Sequence, residues 1–318
     1  MKKIVIDCLG GDNPQEELAK GVLNCLDLPV DFVLVGEADK LKPLLEKQGA
    51  DMNRFEFLDA NHTVTNQQDP SVVVKGEEDS SVVLAMKRAK QDDAIGYIGV
   101  GSTGAVLLSS IFRLGLLPGI KFPALGCFIF DYRFNPICLL DCGANINMNP
   151  SLALSFAEIG SLIAKARVKS DSPRIGLLNV GKEEGKGTQF CKEAYALLKD
   201  SGLNFVGNIE GHDILLGKAD VVLTDGFTGN VVLKAIESCA MICKGIALQN
   251  GNQESAETIN SMFNYTALGS SIVFGASKIV LKPHGSANAQ TIDTAIHMVY
   301  DLDKNRMIQN LQEGLGKK

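Results

Sequence analysis

The chain has 318 residues, with 31 Lys and Arg against 37 Asp and Glu and a formal net charge of −6. Apolar residues make up 45% and charged residues 21%, which is ordinary globular usage and excludes a disordered or low-complexity chain. The mild acidity leaves no basic footprint for nucleic acid, and no run of about 18 apolar residues is present to span a bilayer.

The first apolar run, Ile4-Val5-Ile6, stops at Asp7 and is too short for a secretory core of roughly seven or more, so it predicts a strand over 3–7. Gly10-Gly11-Asp12-Asn13-Pro14 follows. Asn13 reads as a helix cap and Pro14 as the first helical residue, with Leu18, Val22, Leu23 and Leu26 on one face. Strands are expected at 32–35 and 55–58, with a helix through Leu41, Leu44 and Leu45 between them. A capped helix begins near Asp79-Ser80-Ser81. A strand over 94–98 then turns through 99–104 into a helix over 105–114. The apolar runs 124–130 and 137–140 are close enough to form a hairpin. Beyond them come a helix over 152–166, a strand over 175–180, a turn-to-helix unit opened by Lys186, a strand over 220–223 and a helix over 231–246. The polar stretch 249–258 reads as an exposed connection between helices.

This alternation predicts an α/β fold with a doubly wound, mainly parallel sheet, whose ligands lie beyond the carboxyl ends of the strands. No Pro/Ser linker divides the chain, so 1–318 reads as one α/β domain. Eight cysteines without a C-x-x-C pair, and only four histidines, argue against a structural zinc site and fit a reducing, cytosolic setting.

Gly99-Val100-Gly101-Ser102-Thr103-Gly104 satisfies G-x-G-x-x-G between a strand and a helix. A dinucleotide needs a ribose-binding acid about 20 residues later. The first acid after Gly104 is Asp131, 27 residues on. An anion at the helix N-terminus asks only for free backbone N–H groups. The stretch 181–188 fails the P-loop pattern, because Gly187 stands where Ser or Thr is needed. What remains is Lys186 between two glycines, for which solvation is the ordinary alternative. Asp225-Gly226-Phe227-Thr228-Gly229-Asn230 precedes a long helix, with Asn230 placed to cap it. Asp141-Cys142-Gly143-Ala144-Asn145 and Lys282-Pro283-His284-Gly285-Ser286-Ala287-Asn288 repeat the same logic. Jointly, these turns of small residues holding Lys, Asn, Asp and His point to an anionic ligand. Cys8 and Cys142 stand at strand ends where a nucleophile would sit, against the ordinary role of buried packing.

Seven motifs occur in the order of one family: 6–12, 101–105, 140–145, 176–181, 207–211, 225–230 and 284–286. From Lys3 to about Tyr300 the chain closely resembles the bacterial phosphate acyltransferases of phospholipid synthesis, which use acyl-carrier-protein thioesters. The resemblance implies transfer of a fatty acyl group to inorganic phosphate, giving an acyl phosphate that a glycerol-3-phosphate acyltransferase consumes. It implies a Rossmann-like fold related to the phosphotransacetylases and the isocitrate dehydrogenase class. It also implies a homodimer built on a helical hairpin at about 231–266, and no cofactor or metal. Lys186 and Asn230 match the catalytic pair. Asp7, Gly10, Gly11, Asp12, Ser102, Thr103, Gly104, Asn145, Asp225, Gly229 and His284 match substrate- and phosphate-binding positions.

Several positions depart from the family pattern. They are Cys8 and Leu9 for Ala-Met, Ser102 for Asn, Cys142 for a small aliphatic, Glu77 and Glu78 for two basic residues, His212 for Arg, and Ser270-Ser271 for Gly-Ala. The polar hairpin connection implies only weak or indirect attachment to the inner face of the cell membrane for a cytoplasmic enzyme. The competing readings are an NAD(P)-dependent dehydrogenase built on 99–104 and a catalytically degenerate scaffold.

Overall fold

The computed structural model describes residues 1–168, 170–263 and 270–316. The chain opens with β1 (Lys3–Asp7), α1 (Gln15–Leu23), β2 (Asp31–Gly36), α2 (Ala38–Lys47) and β3 (Phe55–Asp59). Then come α3 (Val72–Lys75), α4 (Ser81–Ala89), β4 (Ala94–Gly99) and α5 (Thr103–Ser109), which widens into a π-helical turn at Ser110–Leu114. The hairpin of β5 (Ala124–Phe130) and β6 (Pro136–Leu140) leads into α6 (Pro150–Val168), β7 (Ile175–Leu178) and α7 (Gln189–Lys199). These are followed by β8 (Phe205–Ile209), α8 (Gly211–Leu215), β9 (Val221–Leu223), α9 (Gly226–Gln249) and α10 (Gln253–Phe263). The last elements are β10 (Ser271–Phe274), β11 (Ile279–Lys282), α11 (Ala289–Lys304) and α12 (Met307–Leu315).

Contacts divide the chain into two compact units, residues 1–123 with 269–309 and residues 124–268 with 310–318. In the first unit the strand order is β3-β2-β1-β4-β11-β10, parallel throughout except between β10 and β11. In the second it is β5-β6-β9-β7-β8, parallel except between β5 and β6. The mainly parallel α/β expectation therefore holds. After Lys3 every residue of β1 is buried, and β4 is buried along its whole length. Strands covered on both faces read as unbroken apolar runs, which is why the sequence signalled them. In the second unit Ile129, Ile137, Leu139, Leu178, Ile209, Val222 and Leu233 form one core cluster.

The amino-terminal ends of the first unit's strands are fixed by charge. Arg88, with only 6% of its side chain exposed, forks onto Glu56 and Asp93 at 2.7–2.9 Å, and Lys3 Nζ adds a contact to Glu56 at 2.8 Å. The hydrogen bonds from Arg88 hold both carboxyls down to about 2. Such bidentate pairing is the strong form of the ion pair.

Four local expectations need correction. Pro14 flanks α1 instead of opening it, because Asn13 spends its amide on the carbonyls of Ser286 and Ala287. The helix after 104 ends as an α-helix at Ser109. The stretch 253–258 is helical, because Asn252 caps α10 by accepting from Ser255 N at 2.9 Å. The connection is thus only 250–252. Finally, α9 starts at Gly226, five residues before the expected 231. Helices α9 and α10 do pack together as a hairpin. Its expected end at 264–266 lies outside the described residues. Among the described residues no helix is long and apolar enough to cross a membrane.

Candidate active site

The start of α9 is set by Asp225, whose carboxylate accepts from Thr228 N at 2.9 Å and from Thr228 Oγ1 at 2.8 Å. Asp225 is therefore the cap, and the capping role expected of Asn230 falls away. Asn230 is the fifth helical residue, half-buried, and its amide makes no hydrogen bond among the described residues. Its Nδ2 stands over Gly143, 2.8 Å from where a Cβ on that glycine would be.

The loop beneath it is organised by Asp141. This buried carboxylate accepts from the backbone N–H groups of Gly143 and Ala144 at 3.0 Å, Asn145 at 2.7 Å and Leu125 at 3.2 Å, and from Asn145 Nδ2 at 2.7 Å. The helix docks on this loop through two residues without side chains. Gly226 N donates to Asn145 O at 2.9 Å, and a Cβ on Gly229 would fall 1.9 Å from Asp141 O. The glycines of the 225–230 motif are thus a seat, and the seat positions Asn230. Asn145, expected at the substrate, also ties the loop, and Gly229, expected there too, also seats the helix.

Lys186 lies on the turn between β7 and α7. Asn179 Nδ2 donates to Lys186 O at 3.1 Å, Lys186 N donates to Glu183 O at 3.1 Å, and Asn208 Nδ2 pins Glu183 O at 2.9 Å. The Lys186 side chain is exposed, and its ammonium pairs with no described residue. Of the nearby acids, Glu184 pairs with Lys199 at 3.1 Å and Asp213 with Lys182 at 3.1 Å. Two residues on, Thr188 caps α7. A cleft of about 680 Å³ lies here, lined by Ile146, Asn147, Met148, Asn149, Thr188, Phe190, Asp225, Phe227 and Thr228. Its walls include the starts of both α7 and α9, the positive ends of their helix dipoles. Lys186 and Asn230 are not among its lining residues; each is two residues along the chain from one, Thr188 and Thr228. The apolar walls, Ile146, Met148, Phe190 and Phe227, were missed in the sequence because none follows a helix or strand period.

In the first unit the turns after β1, β4 and β11 converge. Asp7 is buried and accepts from Leu9 N at 3.0 Å, and burial pushes its carboxyl up to about 7. Gly10 meets Gly101, Gly11 meets Val100 and the Gly285 carbonyl, and Asp12 N donates to Gly285 O at 2.8 Å. Ser102, Thr103 and Gly104 open α5, with no side-chain cap. His284 Nδ1 contacts Ser286 Oγ at 2.9 Å. Thr63 joins this cluster without any sequence signal, and its buried Oγ1 has no hydrogen-bond partner among the described residues. Glu77 and Glu78, acids where bases are usual, are engaged by His62 at 2.8 Å and by Lys87 and Arg113.

Protein packing accounts for two glycines of the dinucleotide-like turn, since a side chain at Gly99 would collide with Tyr97 and one at Gly104 with Pro70. Cys8 and Cys142 are buried. Burial pushes the Cys8 thiol up, and the contact from Cys127 together with burial does the same for Cys142. Neither has the lowered pKa of a nucleophile. Two clusters of metal-ligand type are present among the described residues, Cys25/Asp293/His297 and Glu210/His212/Asp213. Neither includes Lys186 or Asn230.

A family profile described as "Fatty acid synthesis protein" matches residues 2–310. The phosphate acyltransferase of Clostridium tetani is 34% identical over 327 residues, 98% of each chain. That of Lactobacillus delbrueckii subsp. bulgaricus is 36% identical over 318 residues, 94% of each. Among solved structures, a phosphotransacetylase from Streptococcus pyogenes aligns with a TM-score of 0.62 at 16% identity, over 98% of this chain and 94% of that one. A branched-chain phosphotransacylase from Enterococcus faecalis V583 aligns at 0.61 and 14% identity, over 98% and 99%. These two show a shared fold. The chain belongs to the fatty acid synthesis protein family, alongside the phosphate acyltransferases.

Proposed function

We propose that this chain is an enzyme that transfers a fatty acyl group from an acyl-carrier-protein thioester to inorganic phosphate, releasing acyl phosphate for phospholipid synthesis. Family membership supports the reaction class. The residue assignment is supported by one uncommitted ammonium and one uncommitted carboxamide, Lys186 and Asn230, which lie two residues from the cleft-lining Thr188 and Thr228 along the chain.

Phosphate at neutral pH is already an anionic nucleophile, so positioning and charge stabilisation are the tasks left to the protein. A phosphate oxygen bonds to the thioester carbonyl carbon, and the carbonyl electron pair moves onto oxygen. Collapse of that intermediate breaks the C–S bond, and the carrier-protein thiolate leaves and takes a proton from solvent. Lys186 neutralises the incoming phosphate, and the Asn230 amide donates to the developing oxyanion. The apolar walls at Ile146, Met148, Phe190 and Phe227 suit the alkyl chain beside the thioester. In the first unit, the turns bearing Asp7, Gly10, Gly11, Asp12, Ser102, Thr103, Gly104 and His284 are assigned to substrate binding. Asp7 acts there by holding Leu9.

Acyl carrier protein and phosphate are the substrates in this reading. A homodimer is supported by α9, where Val231, Met241, Ile242 and Ile246 are all more than half exposed. The product is a mixed anhydride that a glycerol-3-phosphate acyltransferase would consume. The polar hairpin tip, Asn250-Gly251-Asn252, supports a cytoplasmic enzyme with weak attachment at the membrane's inner face. The test is phosphate-dependent release of free carrier protein from a long-chain thioester, with the acyl phosphate trapped by hydroxylamine. Lys186→Ala and Asn230→Ala should each lose most turnover while melting like the parent. Near-parent rates in either would remove that residue from the mechanism.

A further inference from the structure

At the opposite end of α1 from the Gly10–Asp12 turn, the chain brings together three side chains that the proposed reaction does not use. Cys25 follows α1, while Asp293 and His297 sit one turn apart on α11. The two helices approach closely because Gly21 has no side chain; a Cβ there would collide with the Ala289 carbonyl. Cys25 Sγ is 3.5 Å from Asp293 Oδ1, and His297 Nε2 is 3.3 Å from the same oxygen. All three candidate ligand atoms lie within 4.8 Å of one another.

From these positions we infer a zinc-class transition-metal site formed by Cys25 Sγ, Asp293 Oδ1 and His297 Nε2. Tetrahedral zinc takes sulfur at about 2.3 Å and nitrogen or oxygen at about 2.0–2.1 Å, so a ligand pair spans about 3.5 Å for S–O and about 3.3 Å for N–O. The observed separations are 3.5 and 3.3 Å, so those two edges of the tetrahedron are already set. The donor set of thiolate, imidazole and carboxylate is the one zinc prefers over magnesium or calcium. Three protein ligands leave the fourth position to water. Access is from the His297 side, where 45% of the side chain is exposed, whereas Cys25 is buried. Burial, then Asp293 and Asp27, push the Cys25 thiol up, so an incoming cation has to displace its proton. On binding, the Cys25 S–H proton passes to solvent and a metal–sulfur bond replaces the hydrogen bond to Asp293. The ion would staple α1 to α11, about 15 Å along α1 from the turn that carries Asp12.

Cobalt titration of the full chain tests this. The background is Cys239→Ser/Cys243→Ser, which removes the two exposed thiols. The expected result is a thiolate-to-cobalt charge-transfer band saturating at one equivalent per chain, displaced by zinc, with a higher melting temperature when zinc is bound. Cys25→Ser in that background should abolish the band. His297→Gln should weaken binding about ten-fold or more with turnover unchanged. His297 lies at the surface, so its variant decides the matter even if Cys25→Ser misfolds. Absence of a saturable band overturns the inference. So does a band that Cys25→Ser or His297→Gln leaves undiminished.

Discussion

Replacing Gly229 by Ala tests whether α9 is seated on the Asp141 loop. Helix propensity alone predicts that Gly→Ala within a helix stabilises by about 1 kcal/mol. The structure predicts the opposite sign. The new Cβ would fall 1.9 Å from Asp141 O, whereas real Cβ atoms essentially never approach below 3.0 Å, so the helix start or the loop must shift by roughly 1 Å. Both partners are backbone, one inside a helix and the other in a loop tied by five hydrogen bonds to Asp141, so relaxation is expensive. Overpacking of this kind costs about 1–3 kcal/mol, which outweighs the propensity gain. The same shift carries Asn230, one residue on, and a misplacement of about 1 Å costs about a hundred-fold in rate. Urea denaturation should therefore show a lower midpoint with an unchanged slope, and the hydroxylamine assay a loss of turnover near two orders of magnitude. Gly211→Ala is the control, since no atom lies within 4 Å of its Cβ; it should be neutral or gain about 0.4–1 kcal/mol. If Gly229→Ala were as stable as the parent and turned over normally, the seat would not exist.

Asp225→Ala should lose about 1 kcal/mol by urea midpoint, whereas Asp225→Ser, which keeps a cap acceptor, should lose little. Asp141→Ala should be far more damaging, because four backbone N–H groups lose their acceptor together, and its thermal melt should show no cooperative transition above about 37 °C. The raised carboxyl of Asp7 stays protonated in the folded state up to about 7, while its unfolded counterpart ionises near 3.9. Its contribution is therefore complete below about pH 4 and is lost as pH rises through about 7, and Asp7→Asn should flatten that slope in a pH series of denaturation midpoints. Glu56 and Asp93 act in the reverse sense. Held down to about 2 by Arg88, they stabilise above their unfolded values and lose that contribution as pH falls toward 2, so Arg88→Met should blunt the acid limb of the same series.

Parallel strands such as β1 and β4 were legible because burial on both faces leaves unbroken apolar runs, Ile4-Val5-Ile6 and the stretch 94–98, whereas the partly buried parallel strand β8 was not expected. Strands β10 and β11 were not. Each has four residues, and Gly275 and Ser277 between them carry no periodic signal. The α9 boundary misled because Asp225 and Asn230 are both capping residue types. Only the approach to the Asp141 loop shows that Gly226 and Gly229 are inside the helix. Whether Lys186 would be neutralised by Glu183 or Glu184 was likewise undetermined by order along the chain. The fold removes Glu184 by turning it toward Lys199. The resemblance supplied Lys186 and Asn230 by position, and the structure supplies the reason that each is available.

The seat of α9 has a mechanical consequence. The helix has 24 residues, and its fulcrum at Gly226 and Gly229 lies within about 6 Å of Asn230 but about 30 Å from the distal end. As with a lever held close to one tip, a swing of about 5 Å at the far end displaces the carboxamide by no more than about 1 Å. Whatever jostles the outer half of that rod reaches the Asn230 carboxamide strongly attenuated.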